Sequence, residues 1–193
     1  MMQPTFFSLK RLALPLCTAA ACLVAPLAHA GTIIGVGAID GPGLGFVAVP
    51  VIITPDEGSP DDTGNIGVPI KRFDQTGYID IEFFVRGSDP SGTTEYLLFE
   101  SVDNNPGIDW VGYQMELGYG LTFDAPNYVP TPNSSAFAQV NTSPTVLSFF
   151  DGTQSTGSQT YQVWIDVPDG IQTFTLRQYP IPVPEPGTLA LAA

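Results

Sequence analysis

The sequence predicts an all-β protein with a single antiparallel β-sandwich of the immunoglobulin-like or jelly-roll-like kind. Of its 193 residues, 20 are glycine and 19 are proline, and these turn formers separate short runs rich in Val, Ile, Phe, Tyr and Thr. No segment has the periodicity of a long amphipathic helix, and about eight strand-length segments alternate with turns. This pattern favours an antiparallel sandwich over a parallel sheet, with a barrel as the nearest alternative.

The amino terminus has the pattern of a secretory signal peptide. Two basic residues precede the apolar stretch Leu12–Leu27, and Ala28, His29 and Ala30 form a small-x-small cleavage site. The stretch holds about 16 residues and two prolines, short of the roughly 20 unbroken apolar residues that cross a bilayer. We therefore expect signal peptidase to remove residues 1–30, with Ala28 and Ala30 as the small residues of the cleavage site.

Cleavage removes every thiol and imidazole side chain from the protein. We call the part that remains, residues 31–193, the body. The only cysteines, Cys17 and Cys22, and the only histidine, His29, all lie in the leader. A body without thiol or imidazole has no disulfide, no Ser-His-Asp triad, and no zinc site built on cysteine or histidine. The sequence therefore predicts a protein that is not an enzyme and holds no cofactor, with no catalytic or metal-binding residue assigned.

The body is strongly acidic. Loss of Lys10 and Arg11 with the leader takes the formal charge from −13 to −15. The basic residues that remain are Lys71, Arg72, Arg86 and Arg177. They form no dense basic stripe, so nucleic acid is excluded as a partner, and the acidity is interpreted as a solvated surface.

About 163 residues remain after cleavage, which suits one domain, predicted over residues 31–180. Its opening is apolar and rich in glycine, with Val47–Ile53 as an early strand that Pro50 restricts to a sheet edge. A polar loop is expected over Thr54–Gly67. The clearest strand is Tyr78–Arg86, in which Ile79, Ile81, Phe83 and Val85 share one face.

The middle of the chain predicts a meander. Thr94–Val102 is expected to form a hairpin with the preceding strand, and its apolar centre, Tyr96–Phe99, suggests burial from both sides. Trp110–Leu117 continues the meander, and its apolar face is predicted to hold Val111, Tyr113, Met115 and Leu117. The later strands are predicted at Ser135–Val140, Thr145–Phe150, Tyr161–Val167 and Thr173–Tyr179.

Three features raise the question of a binding or catalytic site. The acidic loop 56–65 has oxygen ligands for calcium, but its spacing departs from the calcium-loop pattern, so a solvated loop is the other interpretation. Trp110 and Trp164 are candidate ligand residues that either stack on a sugar ring or fill the core. The carboxylates Glu82 and Glu116 are an example of a pair that a glycosidase would need.

The carboxyl terminus carries a motif. Val183, Pro184, Glu185 and Pro186 are followed by Gly-Thr-Leu-Ala, and this segment resembles the start of the PEP-CTERM sorting signal of exported bacterial proteins. In that family the motif precedes a transmembrane helix and an arginine cluster, and an exosortase processes it. The resemblance implies an exosortase partner and a link to exopolysaccharide and biofilm production.

The tail, residues 181–193, is rich in proline and departs from the family pattern after Pro186. The seven residues Gly187–Ala193 contain no arginine. At about 1.5 Å per residue they span roughly 10 Å, against a hydrocarbon core of about 30 Å, so no stable membrane span is expected in this sequence. Either the sorting signal is truncated or it has decayed, and a decayed signal implies release of the product. A disordered proline-rich end is the alternative to a sorting signal.

Together these features predict an exported protein of the bacterial surface or extracellular matrix that performs no catalysis. One alternative is a carbohydrate-binding module that recognises the exopolysaccharide through exposed Trp and Tyr side chains. A less favoured alternative is a hydrolase that uses paired carboxylates.

Overall fold

The computed structural model describes residues 31–54, 64–86, 93–118, 121–124, 133–168 and 170–184. The predicted all-β class is confirmed, because strands make up most of this part of the chain. The strands are β1 (Thr32–Asp40), β2 (Leu44–Val47), β3 (Val51–Ile53), β4 (Gly64–Phe73), β5 (Ile79–Arg86), β6 (Thr93–Asn104), β7 (Trp110–Leu117), β8 (Thr122–Asp124), β9 (Asn133–Ser134), β10 (Phe137–Thr142), β11 (Val146–Gly152), β12 (Gly157–Pro168) and β13 (Thr173–Pro182). Among the described residues there is no helix with the length and hydrophobicity that crossing a bilayer requires.

Two sheets pack face to face as a β-sandwich. Sheet 1 has the strand order β1-β5-β13-β7-β11-β10, and sheet 2 has the order β2-β4-β6-β12-β8, with β3 also paired to β4 and β9 to β12. Alternate side chains from both sheets form one hydrophobic core. Within the described ranges every pairing is antiparallel except that of β4 with β6, which is parallel.

Strand β5 shows the alternation that the sequence predicts. Ile79, Ile81, Phe83 and Val85 are all buried, and the side chains between them lie on the outer face of sheet 1. Its two neighbours are β1 and β13, so β5 is an interior strand whose inner face packs on sheet 2. The period of two therefore identified the core face of this strand correctly.

The predicted hairpin between β5 and β6 is wrong. Both edges of β5 are occupied, by β1 and β13 in sheet 1, while β6 lies in sheet 2 between β4 and β12. The longest ladder in the sandwich joins β6 to β12, with Thr93 opposite Pro168 and Asn104 opposite Gly157. The prediction that β7 pairs with β6 to continue the meander is also wrong. Strand β7 lies in sheet 1, whereas β6 lies in sheet 2.

Strand β4 was missed because its sequence pattern is interrupted. It begins at Gly64, inside the segment predicted as a polar loop, and buries Ile66, Val68 and Phe73. Pro69 lacks the N–H that a ladder needs, and the register of β4 against β6 shifts between Val68 and Lys71. This irregularity accommodates the proline in an interior strand.

Two other expectations were partly corrected. The predicted strand Val47–Ile53 is two short strands on either side of Pro50, and both pair with β4 near the edge of sheet 2, as the proline suggested. The segment Tyr96–Phe99 is not buried from both sides, because Phe99 is 52% exposed on the outer face of sheet 2.

Strand β7 has the predicted bounds but a different face at its start. Tyr113 and Met115 are buried as expected, whereas Val111 is exposed and Trp110 is buried. The register against β13 shifts between Ile181 and Pro182, which oppose Gly112 and Trp110. A bulge at this point interrupts the alternation of inward and outward side chains in β7. The indole of Trp110 therefore lies in the core, and the side chain of Val111 lies on the outer face.

Candidate functional site

An open groove on the outer face of sheet 1 is the candidate functional site. It has a volume of about 470 Å³ and lies over β13 and its neighbours. Its lining residues are Thr76, Gly77, Tyr78, Glu116, Arg177, Tyr179, Pro180 and Pro182. Two aromatic rings, one guanidinium and one carboxylate therefore line one groove, on the adjacent strands β7 and β13 and the turn before β5.

A row of alternating charge crosses the groove. Arg177 on β13 lies opposite Asp80 on β5 and opposite Glu116 on β7, so the positive side chain stands between two negative ones. The Arg177 guanidinium donates from Nε to Asp80 Oδ1 at 2.8 Å and from Nη2 to Oδ2 at 2.7 Å. These hydrogen bonds raise the pKa of Arg177. Its charge is permanent, and the row carries one net negative charge when both carboxylates are ionised.

The two tyrosines flank this row. The ring of Tyr78 lies under the Arg177 guanidinium, whose central carbon is 4.0 Å from the ring centroid. Tyr179 donates a hydrogen bond from its hydroxyl to Glu116 Oε1 at 2.8 Å. Partial burial, together with this hydrogen bond, raises the pKa of Tyr179 to about 12. The tyrosine therefore stays protonated at neutral pH and remains a hydrogen-bond donor to the carboxylate.

This arrangement has the elements of a saccharide-binding surface. Flat aromatic rings pack on the apolar faces of sugar rings, and fixed polar groups beside them bind hydroxyl groups. The groove offers donors on Arg177 and an acceptor on Glu116, and the hydrogen bonds of Arg177 to Asp80 and of Tyr179 to Glu116 hold both side chains in place. With both carboxylates ionised, the row of Asp80, Arg177 and Glu116 carries one net negative charge, which favours neutral over anionic sugars.

Trp110 lies in the core, which is one of the two interpretations that the sequence left open. Its side chain is 0% exposed. The indole packs edge-on against Phe73 with a centroid distance of 5.4 Å and stacks on Tyr113 at 6.3 Å. A ligand cannot stack on this ring unless the core opens, so Trp110 is not part of the groove.

Trp164 lies on the opposite side of the molecule from the groove. It is a residue of β12, and its neighbours Val163 and Ile165 point into the core, so its indole belongs to the outer face of sheet 2. The side chain is 8% exposed and makes further contacts. The structure therefore does not bring Trp110 and Trp164 together into one site.

The carboxylates Glu82 and Glu116 also have separate roles. They lie on the same outer face, but β13 runs between their strands. Glu82 Oε2 accepts a hydrogen bond from the backbone N–H of Ala38 at 3.3 Å, whereas Glu116 accepts from Tyr179. The two side chains are thus engaged with different neighbours and do not face each other across a cleft.

Several predicted features fall outside the described residues. These include the leader with Ala28 and Ala30, most of the acidic loop 56–65, and Glu185 and Pro186 of the sorting motif. Their assignments stay predictions. Within the described ranges, no three His, Cys, Asp or Glu side chains come together in a way that would hold a metal ion.

A second polar cluster lies inside the sandwich. Lys71 of β4, Glu100 of β6 and Gln178 of β13 are all fully buried and are hydrogen-bonded to one another between the two sheets. Tyr113 adds a longer hydrogen bond, from its hydroxyl to Glu100 Oε1 at 3.4 Å. The cluster places an amine, a carboxylate and a primary amide in contact within an otherwise apolar core.

Sequence reasoning missed both clusters, although each left a signal. In β6, Glu100 is in phase with the core residues Tyr96, Leu98 and Val102, so the alternation places a carboxylate in the core. For the groove, Arg177 and Tyr179 are successive outward positions of β13. That β13 lies beside β5 and β7 could not be deduced from alternation alone.

Comparison with known proteins gives no relative for this chain. No family model matches it, and neither the curated proteins nor the solved structures contain a significant match.

Proposed function

We propose that this chain is an exported, non-catalytic protein of the bacterial surface or extracellular matrix, associated with exopolysaccharide. Signal peptidase removes its leader, and an exosortase reads its PEP-CTERM-like sorting motif. The leader, the acidic body without cysteine or histidine, and the motif Val183–Pro186 support this proposal.

The observation that carries the proposal is the place of the motif relative to the fold. Strand β13 ends at Pro182, and Val183, which is 43% exposed, follows immediately. The backbone N–H of Val183 still donates to the carbonyl of Asp109 at 2.9 Å, and Pro184 is exposed beyond it. A processing enzyme can therefore reach the start of the motif without opening the sandwich.

The test of export is to express the full chain in a bacterium that has an exosortase, to fractionate the culture and to sequence the product. We expect an amino terminus at Gly31 and a product outside the cytoplasm. Recovery of a cytoplasmic product that still carries residues 1–30 would contradict the proposal.

The sorting motif is tested in the same host. Pro184→Ala and Glu185→Ala should change the distribution of the product between cell surface and medium, and deletion of the exosortase should have the same effect. Pro182→Ala is the matched control, because it changes a neighbouring exposed proline outside the motif. Identical distributions for all variants would exclude a sorting role.

Saccharide binding is a second candidate function, favoured by the groove on sheet 1. The residues proposed to contact the sugar are Tyr78 and Tyr179, with Arg177 and Glu116 as polar partners. They replace Trp110, which the core encloses. A non-catalytic matrix protein with such a groove would attach directly to neutral exopolysaccharide.

A further inference from the structure

The buried cluster of Lys71, Glu100 and Gln178 joins the two sheets at the centre of the sandwich. Lys71 and Glu100 belong to sheet 2, and Gln178 belongs to sheet 1. Each of the three side chains is 0% exposed. Lys71 and Gln178 are 107 positions apart in the sequence, so their contact connects the early part of the domain to its last strand.

The contacts bring three reactive groups together. Lys71 Nζ donates to Glu100 Oε2 at 2.6 Å. Gln178 Nε2 donates to both carboxylate oxygens of Glu100 at 2.9 Å. Lys71 Nζ also donates to Gln178 Oε1, so the amine is in direct contact with the amide group. One carboxylate thus contacts both the amine nitrogen and the amide nitrogen.

A contribution to folding stability does not by itself explain why these three polar side chains are buried in the core. Burying an ion pair costs much of what the attraction between its charges returns, and apolar side chains of similar size often stabilise a core as well or better. The three side chains are shielded from solvent, and Lys71 Nζ lies over the ring of Tyr113, 5.6 Å from its centroid. The position is suited to a reaction that needs a dry site.

We propose that Lys71 and Gln178 become joined by an intramolecular isopeptide bond, with Glu100 transferring the protons. Lys71 Nζ attacks the side-chain carbonyl carbon of Gln178, and the new Nζ–Cδ bond replaces the Cδ–Nε2 bond. Of the two protons that leave the Lys71 ammonium, one passes through Glu100 to Nε2, which departs as ammonia. The other remains on Glu100 as a neutral carboxyl, so atoms and charge balance without any oxidant or co-reactant.

The nucleophile must be a neutral amine, and burial makes that form more accessible near neutral pH than it is for an exposed lysine. Burial lowers the pKa of Lys71 to about 8, against the opposing effect of Glu100. The carboxylate lies within the hydrogen-bond distance that general acid–base catalysis requires, both of the nitrogen that loses protons and of the nitrogen that gains one. The fold holds the reactants together, which removes the entropic cost of their encounter.

The isopeptide bond would stabilise the fold covalently, as disulfides do in many exported proteins. Residues 31–193 contain no cysteine, so the body cannot form a disulfide. A covalent link between β4 and β13 closes a long loop and restricts the unfolded chain, as a disulfide across the same span would. This inference concerns the core and does not depend on the proposed surface function.

The test is mass spectrometry of the purified full-chain product after incubation of the folded protein for several days. We expect the intact mass to lie below the sequence mass by the mass of one ammonia. After trypsin digestion, the peptide that ends at Arg72 should be joined to the peptide that begins at Gln178, with no cleavage after Lys71. An intact mass equal to the sequence mass, with the two peptides separate, would overturn the proposal.

Variants define the role of each group. Lys71→Arg keeps a positive charge but has no comparable nucleophile, Glu100→Gln removes the proton carrier, and Gln178→Glu cannot release ammonia. None of the three should show a cross-linked peptide formed with the loss of one ammonia. Gln162→Glu is the matched control for the last variant, because it makes the same change on the outer face of β12 and should keep the cross-link.

Circular dichroism shows which variants are folded. A cross-link that persists in folded Glu100→Gln would remove Glu100 from the mechanism. The mass of the wild-type protein decides the main proposal even if every core variant fails to fold.

Discussion

Arg177 on β13 and Asp80 on β5 form a two-pronged ion pair across adjacent strands, with nitrogen–oxygen distances of 2.8 and 2.7 Å. The two residues are directly opposite in the ladder, so the backbone aligns them before the side chains meet. The guanidinium also stacks on Tyr78. The centre of the groove is therefore held in one geometry by contacts within the protein.

Arg177→Lys should lower the free energy of unfolding by about 0.5–1 kcal/mol, because an ammonium keeps the charge but loses the paired hydrogen bonds and the stacking. The effect is small because the arginine side chain is 43% exposed. Urea unfolding at low salt measures it. Arg72→Lys is the matched control: its partner Asp74 is 39% exposed, against 18% for Asp80, so we expect a smaller change. Equal effects would contradict this account.

Tyr78→Ala and Tyr179→Ala should each weaken binding to a soluble neutral glucan by about tenfold, because each removes a ring that stacks on sugar. Affinity electrophoresis or calorimetry measures the change. Phe99→Ala, which removes an exposed ring from the opposite face of the sandwich, should leave binding unchanged. No saturable binding by the wild-type protein would exclude the saccharide-binding candidate, and equal binding to a polyuronate would contradict the argument from charge.

Trp110→Ala should lower the free energy of unfolding by about 3–5 kcal/mol, because it leaves a cavity beside Phe73 and Tyr113. Trp110→Phe should cost less, since it retains one aromatic ring in the same space. Chemical unfolding followed by circular dichroism measures both. If Trp110→Ala were fully stable but lost glycan binding, the assignment of this residue to the core would be wrong.

The protein should lose stability as the pH rises above about 10, because its buried tyrosines resist ionisation. Burial raises the pKa of Tyr96, Tyr113 and Tyr161 above the ordinary value of 10.0. Their protonated forms stabilise the folded state fully below pH 10, and this contribution is lost progressively as the pH rises toward the folded pKa. The expected slope is up to about 1.4 kcal/mol per pH unit for each tyrosine.

Urea unfolding between about pH 10.5 and pH 12 measures this loss, because in this range the lowered pKa of Lys71 no longer adds an opposing gain in stability. Tyr161→Phe should reduce the alkaline slope while lowering the stability at pH 8, because it leaves Gln154 Oε1 without the hydroxyl that donates to it at 2.6 Å. An unchanged slope in this variant would show that Tyr161 is not among the groups responsible.

Local patterns predicted the inner face of β5 and part of that of β7, but not which strands are neighbours. The alternation of β5 identified four core residues, and β7 was predicted with correct bounds. The bulge that moves Trp110 into the core breaks the period at one position, and the proline of β4 hides an interior strand. Both wrong predictions occur where the backbone departs from regular strand pairing. A search for alternating residues assumes a regular strand, so it cannot detect such a departure.

The candidate sites were less predictable than the strands. Neither the groove nor the buried cluster is contiguous in sequence: Tyr78 and Arg177 meet only because β13 inserts between β5 and β7. The clearest sequence signal was Glu100, a carboxylate at a core position, and its partner Gln178 lies 78 residues further along the chain.

Taken alone, the sequence determined the all-β class and the inner face of strands such as β5, because alternation depends only on residues two positions apart. It also determined the acidity of the body and the absence of cysteine and histidine after residue 30. The tertiary structure alone decided which strands are neighbours, which aromatic rings face solvent, and that Lys71, Glu100 and Gln178 meet. Those outcomes depend on how two sheets close around one core, and this packing joins residues that no local pattern relates.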